Sequence, residues 1–187
     1  MNTTATPLRL PEVKLIRSRV FPDARGIFAE SARLGDFRSL GLPDFVQDNE
    51  SLSLARGTVR GLHFQRPPHA QGKLVRVLSG AIFDVAVDIR PDSDTFGQWA
   101  GVVLREMSGE QLFVPRGFAH GFCTLEERTI VAYRCDAYYA PEFDDAILFS
   151  DPDVAIAWPI EPAFMIASDK DRRAQSFAAY AAGAKGK

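Results

Sequence analysis

Between Ile82 and Ile89 the chain alternates in character. Phe83, Val85, Val87 and Ile89 share one face of an extended segment, and Asp84, Ala86 and Asp88 share the other. Segments 73–78, 99–105, 111–114, 121–125 and 129–137 also read as strands, separated by turn residues. One early stretch departs from this rhythm: 34–40 reads as a helix, closed by Gly41 before Pro43. A second short helix is predicted near Ser168, whose hydroxyl would cap 170–174. Many short strands with few helices predict an all-β fold, an antiparallel jelly-roll barrel or sandwich with a few short peripheral helices. Residues 1–7 and about 178–187 carry no clear period and are expected to be loose, the latter with at most a frayed helical turn. No solenoid or propeller repeat and no linker interrupts the pattern, so 1–187 reads as one domain.

Composition narrows the function classes. A length of 187 residues suits one sizeable core. The formal net charge of −2 supplies no global field for nucleic acid or an anionic membrane, so neither is expected as a partner. An anionic ligand would have to be met by local arginines and lysines. Cys123 and Cys135 lie in apolar, strand-like surroundings without CxxC spacing and are expected as free buried thiols. No secretory leader is visible and no apolar run approaches spanning length, which predicts a cytoplasmic protein.

The densest chemistry lies in the stretch 60–73, read as a functional loop. Arg60, His63, Arg66, His69 and Lys73 fall there among glycine, proline and apolar residues. Such a mixture suits anion binding and proton transfer better than it suits a core. Further along, Gly109, Pro115, Gly117 and His120 follow the spacing of the second motif of the cupin superfamily, with Thr124 in place of its terminal Asn. Gly57 and His63 match the start of the first motif. Gln65 stands where a second histidine belongs, and Lys73 precedes Gly80 where a glutamate is expected. Metals in such barrels take imidazole and carboxylate ligands, so no metal is expected here.

Several motifs in order carry a more specific resemblance. They are Phe21-Pro-Asp-Ala-Arg-Gly-Ile-Phe-Ala-Glu30, Gln47-Asp-Asn49, Arg60-Gly-Leu-His-Phe-Gln65, Pro68-His-Ala-Gln-Gly-Lys73, Pro115-Arg-Gly-Phe-Ala-His-Gly-Phe122, Tyr138-Tyr-Ala-Pro-Glu142 and Ser168-Asp-Lys-Asp171. Over residues 21–171 the chain closely resembles the dTDP-4-dehydrorhamnose 3,5-epimerases. That resemblance implies deprotonation and reprotonation beside the ketone of a dTDP-4-keto-6-deoxy-hexose, with no cofactor. It implies His63 as base, Asp171 as the carboxylate that orients it, Tyr133 as acid on the far face, and Lys73 beside the developing enolate. Arg60 would meet the diphosphate. Arg25, Phe28, Glu30, Gln47, Asp48, Asn49, His120 and Lys170 match further pocket positions, and Tyr139 matches an aromatic that stacks on thymine. Asp144 stands where the family usually carries a glutamate, one methylene longer. The family is homodimeric, and part of the pocket comes from the neighbouring subunit.

Local sequence alone leaves plainer readings open. Tyr133 could be strand core, Asp171 a helix-terminal cap, and His69 an ordering residue of the 60–73 loop. Arg172 and Arg173 read as solvated surface. The leading expectation is inversion at both C3 and C5 of the sugar. The alternatives are a mono-epimerase acting at one of these carbons and a non-catalytic cupin that binds a sugar nucleotide.

Overall fold

Two antiparallel sheets face one another in the computed structural model, which describes residues 2–184. In chain order the strands begin with β1 (Thr3–Pro7), β2 (Lys14–Ser18), β3 (Val20–Asp23), β4 (Gly26–Ala29), β5 (Gln47–Ser53), β6 (Val59–Gln65) and β7 (Lys73–Ser79). They continue with β8 (Ala81–Asp88), β9 (Trp99–Arg105), β10 (Glu110–Val114), β11 (Phe118–Thr124), β12 (Thr129–Cys135) and β13 (Asp144–Ala146). Short helices α1 (Leu34–Ser39), α2 (Asp169–Arg172) and α3 (Phe177–Ala184) lie at the periphery. One sheet runs β1-β2-β10-β7-β12-β5, the other β13-β6-β11-β8-β9, and β3-β4 forms a separate hairpin. This is the jelly-roll sandwich that the strand spacing predicts.

The core explains the alternation. Leu15, Val75, Leu112 and Val131 from one sheet meet Ile82, Ala86, Leu104 and Phe122 from the other in a shared interior. Val85, Val87 and Ile89 turn to the opposite side of β8 and pack with Val59, Leu62, Ile147 and Phe149. The five-stranded sheet is thus covered on both faces, so Asp84 and Asp88 are buried rather than solvated. Asp88 is stabilised by Arg90, Ser93 and Thr95, which donate to its carboxylate at 2.6–2.9 Å. α1 seats Phe37 on the outer face of the six-stranded sheet, beside Ile16, Leu74 and Phe113.

Four sequence expectations need correction. Residues 3–7 are not loose: β1 pairs with β2 from Thr3↔Ser18 to Pro7↔Lys14. It is an edge strand with one partner, which suits a terminal proline and gives no strong alternation. The tail is docked as α3, where Phe177 packs on Phe96 at 4.9 Å and the Tyr180 hydroxyl donates to the Ile89 carbonyl at 2.8 Å. Residues 185–187 lie outside the described residues. Finally, 60–73 is not one loop, since its first half belongs to β6. Its period is hidden because both faces of the sheet are covered and because Gly61 interrupts it. Gly61 has φ +135, and a Cβ there would come within 2.5 Å of the Gly121 Cα. The second helix is also shorter than predicted, ending at Arg172, although Ser168 does cap it by accepting the Asp171 N–H. Cys123 and Cys135 are free and buried, as expected.

Candidate active site

His63 projects from β6, and α2 brings Asp171 to it. Nε2 of His63 lies 2.6 Å from Oδ1 of Asp171, whose side chain is only 5% exposed. Burial alone would push the Asp171 carboxyl up. The hydrogen bond and charge of His63, with help from Ser168 and Lys170, outweigh burial and hold it below the usual carboxylate range. An ionised carboxylate accepts, so Nε2 carries the proton and Nδ1 keeps a free lone pair. The side chain of His63 is 32% exposed, enough to meet a substrate. An imidazole so held can accept a proton, the chemistry of a general base.

The facing sheet supplies the opposing groups. Tyr133 on β12 packs against the shared core and lies opposite Asn49 and Val75 in register. Burial pushes its hydroxyl pKa up, with Cys135 adding and Arg60 opposing, so the phenol holds its proton. Lys73 opens β7 and reaches toward the His63 carbonyl at 3.5 Å. Burial pushes its ammonium down, against the pull of Cys135, Asp144 and Asp84. Cys135 is itself pushed up to about 11 by burial, against the opposing pull of Lys73 and the Asn49 hydrogen bond. Arg60 donates to Ser53 Oγ and the Leu52 carbonyl, each at 3.2 Å, and so carries its charge toward Tyr133.

His120 on β11 sits directly opposite His63 in register, and its Nε2 lies 2.7 Å from Oδ1 of Asp84. Sequence reading placed His120 in the pocket but missed Asp84. The available signal was a carboxylate flanked by apolar residues in the middle of a strand. At the rim, Asp144 accepts from the Tyr139 hydroxyl at 3.3 Å and from the Lys170 ammonium. Its shorter side chain therefore still joins the cluster. Gln47 accepts the Tyr139 N–H at 2.9 Å and donates to Asn49, which in turn donates to Cys135 Sγ. Gln65 is committed to backbone partners around His69 and Tyr138. Among the described residues, no group of three His, Cys, Asp or Glu side chains is arranged to hold a metal ion.

Four expected pocket residues are not brought to this cluster within the chain. Asp48 points from β5 to the face opposite Asn49 and pairs with Arg134 at 3.4 Å. Arg25 pairs with Asp23 at the tip of the β3-β4 hairpin. Phe28 lies 6.4 Å from Phe21 on the same hairpin and is 69% exposed. Glu30, just beyond it, pairs with Arg33. His69 stacks on Phe143 with centroids 4.4 Å apart, consistent with its ordering role.

Known proteins with this sequence pattern are numerous. The model of the dTDP-4-dehydrorhamnose 3,5-epimerase family matches residues 7–179. The dTDP-4-dehydrorhamnose 3,5-epimerase of Methanothermobacter thermautotrophicus is 51% identical over 160 residues, spanning 84% of this chain and 85% of its own. The crystal structure of the Bacillus anthracis epimerase, with TDP and PPi bound, has a TM-score of 0.89 at 47% identity, covering 93% of this chain and 99% of the other. The Legionella pneumophila epimerase, in complex with dTDP-4-keto-L-rhamnose, has a TM-score of 0.89 at 43% identity, covering 94% and 93%.

Proposed function

The chain belongs to the dTDP-4-dehydrorhamnose 3,5-epimerase family, and from that premise we propose that it inverts C3 and C5 of dTDP-4-dehydro-6-deoxy-D-glucose to give dTDP-4-dehydro-L-rhamnose. The observation that carries this reading is His63 on one sheet, paired with Asp171 of α2, with Tyr133 on the sheet facing it. The hydrogens at C3 and C5 are acidic because each carbon adjoins the C4 ketone. Nδ1 of His63 takes one of them, and the electron pair moves through the carbon–carbon bond to O4. Lys73 stabilises that enolate oxygen, the role of a positioned cation at developing charge. The Tyr133 hydroxyl returns a proton from the opposite face, which inverts the carbon. Before the second inversion His63 must release its proton and Tyr133 must regain one.

Substrate binding follows from the remaining charges. Arg60 and Lys170 meet the diphosphate, His120 meets the sugar, and Tyr139 carries the thymine ring. The protein works as a homodimer in the cytoplasm, with Arg25, Phe28 and Glu30 of the hairpin completing the neighbouring subunit's pocket. Supporting this, the hairpin makes no hydrogen bond or ion pair with the His63 cluster among the described residues and exposes Ile27 and Phe28. No helix among those residues is long and apolar enough to cross a membrane.

Incubation with the 4-keto sugar nucleotide in deuterated water tests the reaction. Deuterium should enter at both C3 and C5, read by NMR. Exchange at one carbon would reduce the protein to a mono-epimerase, and no exchange would overturn the catalytic reading.

A further inference from the structure

Tyr139 is more than half exposed, yet the backbone that carries it is gripped from two sides. Residues 137–140 lie outside every strand. In an extended chain the carbonyl of one residue and the N–H two positions later point the same way, as along a sheet edge. Here those two groups, the Tyr138 carbonyl and the Ala140 N–H, both meet the side-chain amide of Gln65. Its Nε2 donates to the Tyr138 carbonyl at 3.2 Å, and its Oε1 accepts the Ala140 N–H at 2.7 Å. The Tyr139 N–H points the other way, to Oε1 of Gln47 at 2.9 Å. The second N–H of Gln65 goes to the His69 carbonyl at 2.7 Å.

Gln65 is 7% exposed and shares the interior side of β6 with His63, two residues away. Its strand partner in register is Asp144, whose carboxylate accepts the Tyr139 hydroxyl. One position in the β6-β13 pair thus holds Tyr139 at both ends, by its backbone and by its phenol. A buried amide with three partners satisfied has little freedom, because releasing any of them leaves an unpaired polar group.

We propose that Gln65 is a positioning residue that holds Tyr139 in place as the platform for the nucleotide base, at a fixed distance from the His63 dyad. The proposal rests on the epimerase reading above, since it takes Tyr139 as the base-stacking residue. Gln65 touches neither the sugar nor a transferred proton. Its influence passes through Tyr139, so it acts on binding rather than on the chemical step.

A double-mutant cycle on dTDP affinity, measured by calorimetry, tests this. Gln65→Met keeps the volume and removes the hydrogen bonds. It should weaken dTDP binding about tenfold, within the range that stacking on an aromatic side chain supplies. Tyr139→Ala should weaken it at least as much, and the double variant should be no worse than Tyr139→Ala alone. In steady-state assays Gln65→Met should raise KM while kcat stays within about threefold. Losses that multiply in the double variant, or a fall in kcat at constant KM, would overturn the proposal. If Gln65→Met does not fold, Gln65→Glu serves the same cycle, keeping the acceptor for Ala140 and losing both donors. Wild-type protein that fails to bind dTDP would sink the epimerase reading as well. Wild-type binding with multiplying losses would sink only the role of Gln65.

Discussion

His63 and His120 stand opposite one another on paired strands, and each gives one ring nitrogen to its own aspartate. The two dyads differ in access. The His120 and Asp84 side chains are 7% and 0% exposed, whereas His63 is open to a ligand. Of the two, His63 is the one open to both a ligand and solvent. That difference makes His63 the more accessible of the two imidazoles, with His120 buried beside it in the same interior.

Asp171→Asn should therefore damage catalysis more than binding. The amide no longer demands the proton on Nε2, so the tautomer that leaves Nδ1 free is lost. We expect kcat to fall by about 10²- to 10⁴-fold, with dTDP affinity within about threefold. Equal loss in affinity, measured by calorimetry, would make Asp171 a binding residue instead.

Tyr133→Phe separates the two faces of the reaction. Proton abstraction by His63 needs no phenol, so deuterium exchange from solvent should continue at a measurable rate. Formation of the inverted sugar should drop by about 10²-fold or more, because the far face has lost its donor. Product formed at the wild-type rate would remove Tyr133 from its assigned role.

Lys73→Met should exchange function for stability. Burial disfavours the ammonium, so a thioether of similar length should leave Tm unchanged or raise it. Without a cation beside O4, kcat should fall by about 10²- to 10³-fold. A drop in Tm together with unchanged kcat would mean that Lys73 is structural.

Acid stability should depend on Asp88. Burial would raise its pKa, but Arg90, Ser93 and Thr95 overcome that and lower it from 3.8 to about 2. A depressed carboxyl contributes its stability above the unfolded-state value, and that contribution is lost as pH falls from about 4 to about 2. The amount is on the order of 2 kcal/mol. Urea unfolding across this window should be less pH-dependent for Asp88→Asn than for the wild type. Parallel curves would show that Asp88 carries no such linkage.

A pocket shared between subunits predicts complementation. His63→Ala and Arg25→Ala variants should each be impaired alone. In a mixed population about half of the dimers are heterodimers, and each of these holds one intact site. The mixture should then recover about a quarter of the wild-type rate. Activity no greater than the sum of the separate variants would place the whole site within one chain.

Much of this molecule is legible before folding is considered. The alternation of residues 82–89 marks β8, and the ordered motifs, which contain His63, Lys73 and Asp171, carry the family resemblance that in turn points to Tyr133. Other features were obscured for identifiable reasons. β6 shows no clean period because the five-stranded sheet is covered on both faces, so its apolar residues do not alternate with solvated ones. β5 is polar on both faces, which hides that Gln47 and Asn49 turn inward while Asp48 turns out.

By itself the sequence determined the jelly-roll class and the departure from the full cupin ligand motif, since these depend on residue type and local spacing, while the candidate catalytic residues came from the family resemblance. Only the tertiary structure decided which groups meet. Asp84 reaches His120, Asp48 leaves the pocket, and Gln65 grips the backbone on either side of Tyr139. The physical reason is strand register: a shift of one residue turns a side chain to the other face, and contacts between strands are set by pairing across the sheet rather than by order along the chain.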